Sequence, residues 1–269
     1  MALIDNLVSY WKLDEASGDA SDSTTSVKTL TNTGTTTYAA AKINNGADLG
    51  TANTTKYLGR TGYVVSDGAV SFSLWVKQRT EIASGIQTFI SSGSESTAFR
   101  IDYEYNAGSR RLALVRSRNN RTNETTYYTA TLGTANFYHL VGTYDGTNIV
   151  LYVNGVNVST ATSSLNGTTN WNPGGGFFTL GVARDANLGT VGQYSSSYID
   201  EVAIWNRAIS QSDVNNLYNS GAGFAYPLVG YSITATPAAF TVSGKSARLF
   251  FGNMTNTAKP TTTIVNTPK

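Results

Sequence analysis

The feature that most constrains the fold is a series of short segments in which apolar and polar residues alternate, separated by Gly, Asn, Asp and Ser. Ser71–Lys77, with the letters SFSLWVK, is typical. A period of two indicates β-strands, because successive side chains of a strand point to opposite faces. The segments predicted as strands are Leu7–Leu13, Ser71–Lys77, Gln87–Ile90, Ala98–Tyr103, Arg111–Arg116, Phe137–Tyr144, Asn148–Val153, Phe177–Val182 and Tyr198–Trp205. The chain is therefore predicted to be all-β.

Local sequence also predicts one hairpin and one helix. Asp145-Gly146 joins two of the predicted strands, and Asp-Gly suits the positive φ angles of a tight turn. Ser210 can cap the start of a helix, with Asp213 three residues later, and Gly221 can end it. This helix is short, so we expect it to pack on an edge of the β structure.

Composition excludes several classes of function. The chain has 269 residues, only 13% of them charged, and its net charge of +2 is too small to indicate a nucleic-acid partner. The absence of cysteine excludes disulfides, thiolate metal sites and thiol catalysis, and the single histidine excludes a multi-histidine metal centre. No segment approaches the roughly 20 apolar residues of a membrane-spanning helix. The first residues also lack the pattern of a signal peptide.

The character of the chain changes near Tyr226-Pro227, which divides it into a main domain at 1–226 and an appendage at 227–269. Three brief β-like pieces lie between Gly230 and Gly252, followed by a polar tail. Three short strands are marginally stable alone. We therefore expect the appendage to dock on the main domain or to pair with another chain.

Four segments carry a resemblance to a known family: LVSYWKLDEASGDASDST, FSLWVK, FYHLVGTYDGTNIVLYVNG and YIDEVAIWNRAISQSDVNNLY. In this order they resemble the laminin-G-like, concanavalin A-like jelly-roll domains, over residues of about 7–221. The resemblance implies two stacked antiparallel sheets, with glycans or proteins as the common partners, often beside a calcium ion. The expected fold class is therefore an all-β, two-sheet antiparallel jelly-roll sandwich with one short helix and a small C-terminal β appendage.

The C-terminal segment YSITATPAAFTVSGKSARLFF resembles a short repeat of tailed-phage virion proteins. It implies a virion-surface protein that contacts other virion proteins through residues 230–269. A homo-oligomer and a monomer both stay open. An extracellular or cell-surface adhesin is the alternative.

The spacing of the acidic residues indicates whether the chain can be a glycosidase. A retaining glycosidase needs two carboxyl groups about 5 Å apart, and Asp102 and Glu104 lie at i and i+2, on one face of a strand. The hydrolases of this wider fold use a third acid at the position where this chain has Arg100. The alternative is that Arg100–Asp102 or Glu104–Arg111 forms an ion pair at the surface. We favour this alternative and expect no enzyme activity.

Calcium is the ion that the resemblance implies. Asp19 and Asp22 lie in a loop after the first strand, and Asp200 begins the last strand. Asp22 and Asp200 together resemble a structural calcium site, since calcium binds carboxylate and carbonyl oxygens. The alternative is that Asp favours these turns for local reasons.

Glycan binding requires exposed aromatic rings and polar side chains. The candidate rings lie in segments rich in Asn, Arg and Thr, whereas Trp11, Trp75, Trp205 and His139 occupy positions expected to pack. An arginine cluster lies close to these rings in the sequence. It can bind an anionic glycan, or it can prevent aggregation at the edge of a hairpin. The predicted ligand-binding residues are Trp171, Tyr127, Tyr128, Tyr103, Arg116 and Arg118, and Tyr105 is a further aromatic candidate.

The sequence therefore favours a non-catalytic module that binds a glycan or a cell-surface receptor. The alternatives are a purely structural virion decoration protein and, least favoured, a glycan-degrading enzyme.

Overall fold

The protein folds into two antiparallel β-sheets and one short helix. The computed structural model describes residues 2–51, 55–63, 68–93, 98–118, 122–163, 176–184 and 191–228. The strands are β1 (Leu7–Trp11), β2 (Thr31–Thr33), β3 (Thr37–Ala40), β4 (Asn45–Asp48), β5 (Tyr57–Thr61), β6 (Val70–Gln78), β7 (Gly85–Ser92), β8 (Phe99–Asn106), β9 (Ser109–Arg118), β10 (Thr122–Thr129), β11 (Tyr138–Tyr144), β12 (Asn148–Val153), β13 (Val156–Thr162), β14 (Phe177–Leu180), β15 (Ala183–Arg184), β16 (Val191–Gly192) and β17 (Ser197–Trp205). Helix α1 is Gln211–Tyr218, followed by a 3-10 turn at Asn219–Gly221.

The strands form two large sheets and a small ribbon. The eight-stranded sheet has the order β13-β12-β11-β6-β17-β4-β3, with β1 also paired to β17. The seven-stranded sheet has the order β10-β9-β8-β7-β14-β5-β2, and β15 pairs with β16. The predicted all-β, two-sheet antiparallel sandwich is confirmed.

Alternation along the strands places an apolar core between the two sheets. Phe72 of β6 and Phe99 of β8 meet there with ring centroids 5.0 Å apart. Gly142 of β11 allows the sheets to approach, because a Cβ at this position would lie 2.5 Å from the Cδ1 of Leu114. Burial of such side chains stabilises a fold by about 25 cal/mol per Å² of apolar surface.

Helix α1 covers a second apolar cluster, formed on the outer face of the eight-stranded sheet. Ser210 caps the helix, and its hydroxyl accepts a hydrogen bond from the Asp213 backbone while the Asp213 side chain accepts one from the Ser210 backbone. Val214 and Leu217 are buried against Trp205 and its neighbours. The predicted helix and its Ser210 cap are confirmed, but the helix ends at Tyr218 with Asn219 as its C-cap, before the predicted Gly221, and it packs on a face of the sheet and not on an edge.

Two predicted strands end earlier than expected. The first stops at Trp11, since Leu13 has a positive φ of 61° that is incompatible with a strand. The strand beginning at Phe177 stops at Leu180, since Gly181 has a φ of 89°. The Asp145-Gly146 hairpin is confirmed by the antiparallel pairing of β11 with β12.

Strand β17 changes partner half-way along its edge. Tyr198 and Ile199 pair with β4, whereas Val202 to Trp205 pair with β1. A bulge lies between Asp200 and Ala203, where Glu201 has a φ of 50°. A bulge re-aims side chains, and here it brings two buried acids together.

The predicted appendage after Pro227 lies almost wholly outside the described residues, which end at Leu228. Within the described ranges, no helix is long and apolar enough to cross a membrane.

Candidate functional site

A groove of about 350 Å³ lies on the outer face of the seven-stranded sheet, across β7, β8, β9 and β10. It forms there because β8 alternates: Phe99, Ile101 and Tyr103 belong to the core, so the residues between them face outward. The side chains that matter for its chemistry are Arg100, Glu104, Tyr105, Arg111, Thr125 and Tyr127.

Two ion pairs lie on this face of the sheet. Arg100 Nε lies 2.6 Å from Asp102 Oδ2, and Arg111 Nη2 lies 2.8 Å from Glu104 Oε2. Asp102 is completely buried, and burial raises its pKa although Arg100 acts in the opposite direction. Each carboxylate is thus matched by a guanidinium.

Tyr127 is the aromatic ring that the groove presents to solvent. It is 45% exposed, and the guanidinium carbon of Arg111 lies 3.8 Å from its ring centroid. Arg111 therefore bridges the Glu104 carboxylate and the Tyr127 ring, and a cation–π contact of this kind contributes about 0.5–1 kcal/mol at an exposed site. The contact therefore favours this orientation of the ring in the absence of ligand.

The rim of the groove is charge-paired as well. Arg110 Nε lies 3.0 Å from Glu81 and donates a hydrogen bond to the Ile82 carbonyl. Its guanidinium lies 5.5 Å from the ring centroid of Tyr105. Over the described residues, the groove and this rim therefore carry three cations and three carboxylates.

The sequence placed both Tyr127 and Tyr128 among the ligand-binding residues. They are neighbours on β10, so they point to opposite faces: Tyr127 lines the groove, whereas Tyr128 packs against the core. Tyr103 is fully buried in the core, and its hydroxyl accepts a hydrogen bond from the Leu132 amide. Tyr103 and Tyr128 thus serve packing, because their register turns them inward.

Arg116 is also buried and is not part of a ligand surface. Its guanidinium lies 4.1 Å from the Tyr144 ring centroid and donates hydrogen bonds to Glu124 and Ser163. On β9 it follows Leu112 and Leu114 at intervals of two, so it shares their inward face. The predicted Trp171 and the side chain of Arg118 lie outside the described residues.

Asp22 is held by a complete set of protein donors. Its Oδ1 accepts hydrogen bonds from the Tyr10 and Thr24 amides and the Thr24 hydroxyl, and its Oδ2 from Ser26 and Lys28. Burial opposes ionisation, but these hydrogen bonds outweigh it and lower the pKa of Asp22.

Asp200 is fully buried and accepts hydrogen bonds from the amides of Ile43 and Glu201. Burial raises its pKa to about 9, so it is protonated near neutral pH. Calcium needs about six to eight oxygens, carboxylates among them, and no group of three or more acidic or histidine side chains within the described ranges can hold a metal ion. As arranged, Asp22 and Asp200 do not fit a shared calcium site, and calcium binding there stays a prediction.

His139 has the packing role that its strand position predicted. It is buried, its Nε2 lies 2.8 Å from the Ser73 hydroxyl, and its ring is stacked 6.2 Å from that of Tyr218. Burial lowers its pKa to about 3, which keeps it neutral. The predicted packing of Trp11, Trp75 and Trp205 is confirmed, since all three are buried.

Comparison with solved structures finds jelly-roll binding domains. The botulinum neurotoxin serotype C1 binding domain matches with a TM-score of 0.64 and 14% identity, over 81% of this chain and 52% of that one. The binding domain of Paraclostridial Mosquitocidal Protein 1 matches with a TM-score of 0.61 and 17% identity, over 81% of this chain and 53% of that one. The chain thus spans about half the length of these toxin domains.

Domain 4 of AbnA, an extracellular arabinanase from Geobacillus stearothermophilus solved in complex with arabinotriose, is similar over almost its whole length. Its TM-score is 0.58 and its identity 22%, over 81% of this chain and 98% of that one. The search of curated proteins found no match. A family model for the concanavalin A-like lectin/glucanases superfamily matches residues 51–215. With the two-sheet sandwich described above, this match shows that the chain belongs to the concanavalin A-like lectin/glucanases superfamily.

Proposed function

We propose that the protein is a non-catalytic carbohydrate-binding module that recognises a neutral saccharide, free or on a cell-surface receptor, in the groove of the seven-stranded sheet. The observation that carries the proposal is the exposed Tyr127 ring, fixed by Arg111 in a groove whose charges are all paired. A sugar ring has an apolar face that packs on an aromatic ring, and hydroxyl groups that exchange hydrogen bonds with ionised side chains.

Charge balance supports a neutral ligand. Glu104 and Arg111 satisfy each other at 2.8 Å, as do Arg100 and Asp102 at 2.6 Å. An acidic sugar would have to break one of these pairs to gain an ion pair, whereas hydroxyls can bridge them without doing so.

The same pairs support a non-catalytic role. A retaining glycosidase needs one carboxylate as nucleophile and a second carboxyl as general acid. Here Asp102 is buried beside Arg100, and Glu104 is engaged by Arg111. Incubation with a broad polysaccharide panel is expected to release no products, and release that Asp102→Asn abolishes would overturn this part of the proposal.

The solved complexes of similar domains support saccharide recognition. AbnA domain 4 was solved with arabinotriose, and cell entry of botulinum neurotoxin type C depends on interaction with two ganglioside molecules. Those ligands belong to those proteins, and for this chain they only motivate the choice of saccharides to screen.

The test is a glycan-array screen of the full chain, followed by affinity measurements on the strongest neutral ligand. Tyr127→Ala is expected to weaken binding roughly tenfold or more, as for an aromatic anchor. Tyr57→Ala is the matched control, because Tyr57 lies on the same sheet outside the groove. Unchanged affinity in Tyr127→Ala would exclude the groove, and loss in Trp171→Ala alone would move the site to the segment around residue 171.

We further propose that the protein is associated with a virion. The phage-like C-terminal segment supports a virion-associated protein, with residues 230–269 contacting other virion proteins. Deleting these residues is expected to abolish incorporation into particles and to leave glycan binding intact. If the truncated chain unfolds, the segment is part of the sandwich core and the attachment role is wrong.

A further inference from the structure

A row of cations and aromatic rings lies on the outer face of the other, eight-stranded sheet. Lys77 of β6 pairs directly with Tyr198 of β17. Its Nζ lies 4.7 Å from the Tyr198 ring centroid and 5.0 Å from that of Phe137. Because Leu74 and Val76 belong to the core, Lys77 points away from it.

Two more cations extend this row. The Arg79 guanidinium lies 5.1 Å from the Tyr198 ring centroid and donates a hydrogen bond to its hydroxyl. Lys42 Nζ lies 4.6 Å from the ring of Trp75, which precedes Lys77 by two residues on the same face of β6. We call Lys42, Trp75, Lys77, Phe137, Tyr198 and Arg79 the basic aromatic row.

The row is not charge-balanced, unlike the groove. Arg79 pairs with Asp48 at 2.9 Å, whereas Lys42 and Lys77 form no ion pair with any described residue. Of these three cations, only Arg79 lies within ion-pair distance of a carboxylate of the described residues. The aromatic rings contact the two ammonium groups, whose three N–H donors each still have capacity for an anionic acceptor.

We propose that the basic aromatic row is a second binding surface, which takes an acidic saccharide through one carboxylate or sulfate group. Lys77 supplies the charge-assisted hydrogen bonds, and the edges of Tyr198 and Phe137 contact the sugar carbons. This surface is additional to the proposed neutral-saccharide groove and does not depend on it.

The number of cations favours a small ligand over a polymer. Nucleic-acid binding typically uses about 6–10 phosphate contacts, and lipid-binding basic segments carry about 4–8 Lys or Arg. Three cations, one of them already paired, match a ligand with one or two negative charges.

The test uses the full chain with digalacturonate, with its neutral methyl ester, and with a galactose disaccharide bearing one sulfate. Titration calorimetry at low salt is expected to show binding of an acidic probe, loss of binding by the methyl ester, and weakening in 0.5 M NaCl. Lys77→Met keeps the stem between the rings and is expected to weaken binding roughly tenfold. Lys28→Met is the matched control, because Lys28 Nζ lies 4.7 Å from a ring elsewhere, that of Tyr63.

Tyr127→Ala separates the two surfaces. It is expected to leave acidic-probe binding unchanged while it weakens binding of the neutral ligand. The proposal is overturned if neither acidic probe binds, if the methyl ester binds equally well, or if Lys28→Met weakens binding as much as Lys77→Met. Tighter binding of an oligonucleotide or of phosphatidylserine vesicles, lost in Lys77→Met, would also overturn the saccharide assignment.

Discussion

The hydroxyl of Tyr10 donates a hydrogen bond to the Glu201 carboxylate, joining β1 to the bulge of β17 inside the protein. Glu201 is 4% exposed, and its other oxygen, Oε1, has no hydrogen-bond partner among the described residues. Asp200 is buried beside it, and Asp14 adds a further negative charge, opposed by Lys12. Two adjacent carboxyl groups are therefore held where their ionised forms are poorly solvated.

This geometry predicts that stability falls as pH rises. Burial raises the pKa of Glu201 to about 7 and that of Asp200 to about 9, above their ordinary values of 4.5 and 3.8. At pH values between the ordinary pKa and the raised pKa of each group, the folded chain holds more protons than the unfolded chain. The free energy of unfolding therefore decreases with pH over that range. We expect the stability that these two protonated carboxyl groups provide to be fully present near pH 4. It should be lost as pH rises through 7 towards 9, as measured by urea unfolding at each pH.

Glu201→Gln keeps an oxygen for the Tyr10 hydroxyl and removes the ionisation. It is expected to remove the part of the decline in stability that Glu201 causes between about pH 4.5 and 7, so that the total decline up to pH 8 is smaller by on the order of 2 kcal/mol. Asp213→Asn is the contrasting control: burial opposes its ionisation, but Arg207 outweighs this and lowers its pKa, so this variant should lose stability at neutral pH. A wild-type profile that rises between pH 5 and 9 would contradict the assignment.

The strands that the sequence predicts correctly lie mainly at the centre of a sheet. Segments such as Ser71–Lys77 coincide with central strands. Their inner faces enter the core, so apolar residues recur at every second position. The strands that sequence reasoning missed are short or polar, among them Thr31–Thr33, Thr37–Ala40, Thr122–Thr129 and Val156–Thr162. They take their conformation from a neighbouring strand, and this tertiary pairing has no local pattern of its own.

Strand β10 explains why only some of the predicted binding residues line the groove. Without a strand at Thr122–Thr129, nothing in the sequence separates Tyr127 from Tyr128, whereas strand geometry allows only one of them to face outward. Arg116 was misassigned for a related reason: in β9 an arginine occupies an inward position after Leu112 and Leu114. The ion pairs of Asp102 and Glu104 were foreseen, but the first is buried and not at the surface.

These two ion pairs predict different costs of removal. Asp102→Ala leaves Arg100 buried without its carboxylate and is expected to lower the free energy of unfolding by about 3–5 kcal/mol. Glu104→Ala affects a pair whose partner Arg111 is partly exposed, so we expect a loss of about 1 kcal/mol or less. Equal losses in urea unfolding of the two variants would show that burial does not distinguish the pairs.

The effect of calcium on the Tm of the protein is a further prediction. Because Asp22 already accepts five hydrogen bonds from protein donors, we expect the same Tm in chelator and in 5 mM calcium, a concentration above the dissociation constants of about 0.1–1 mM of extracellular calcium modules. A Tm that rises with calcium, and no longer does so in Asp200→Asn, would instead establish the predicted calcium site. Asp213→Asn serves as the control for a general effect of removing a carboxylate.

The distance between the two sheets depends on Gly142. A methyl group there would lie 2.5 Å from the Cδ1 of Leu114 and 3.4 Å from that of Ile101, inside a close-packed core. Gly142→Ala is therefore expected to lower the free energy of unfolding by about 1–3 kcal/mol. Gly192→Ala is the control, because a Cβ at that position meets no atom within 4 Å.

The double variant Gly142→Ala, Leu114→Val tests whether this contact is the cause. Removing the Leu114 Cδ1 atom makes room for the new methyl group, so the double variant should lose less stability than the sum of the two single variants. Additive losses would mean that the strain lies in the β11 backbone and not between the sheets. A loss smaller than the sum would show why glycine is required at position 142: the Leu114 side chain of the opposite sheet already fills the space of a Cβ.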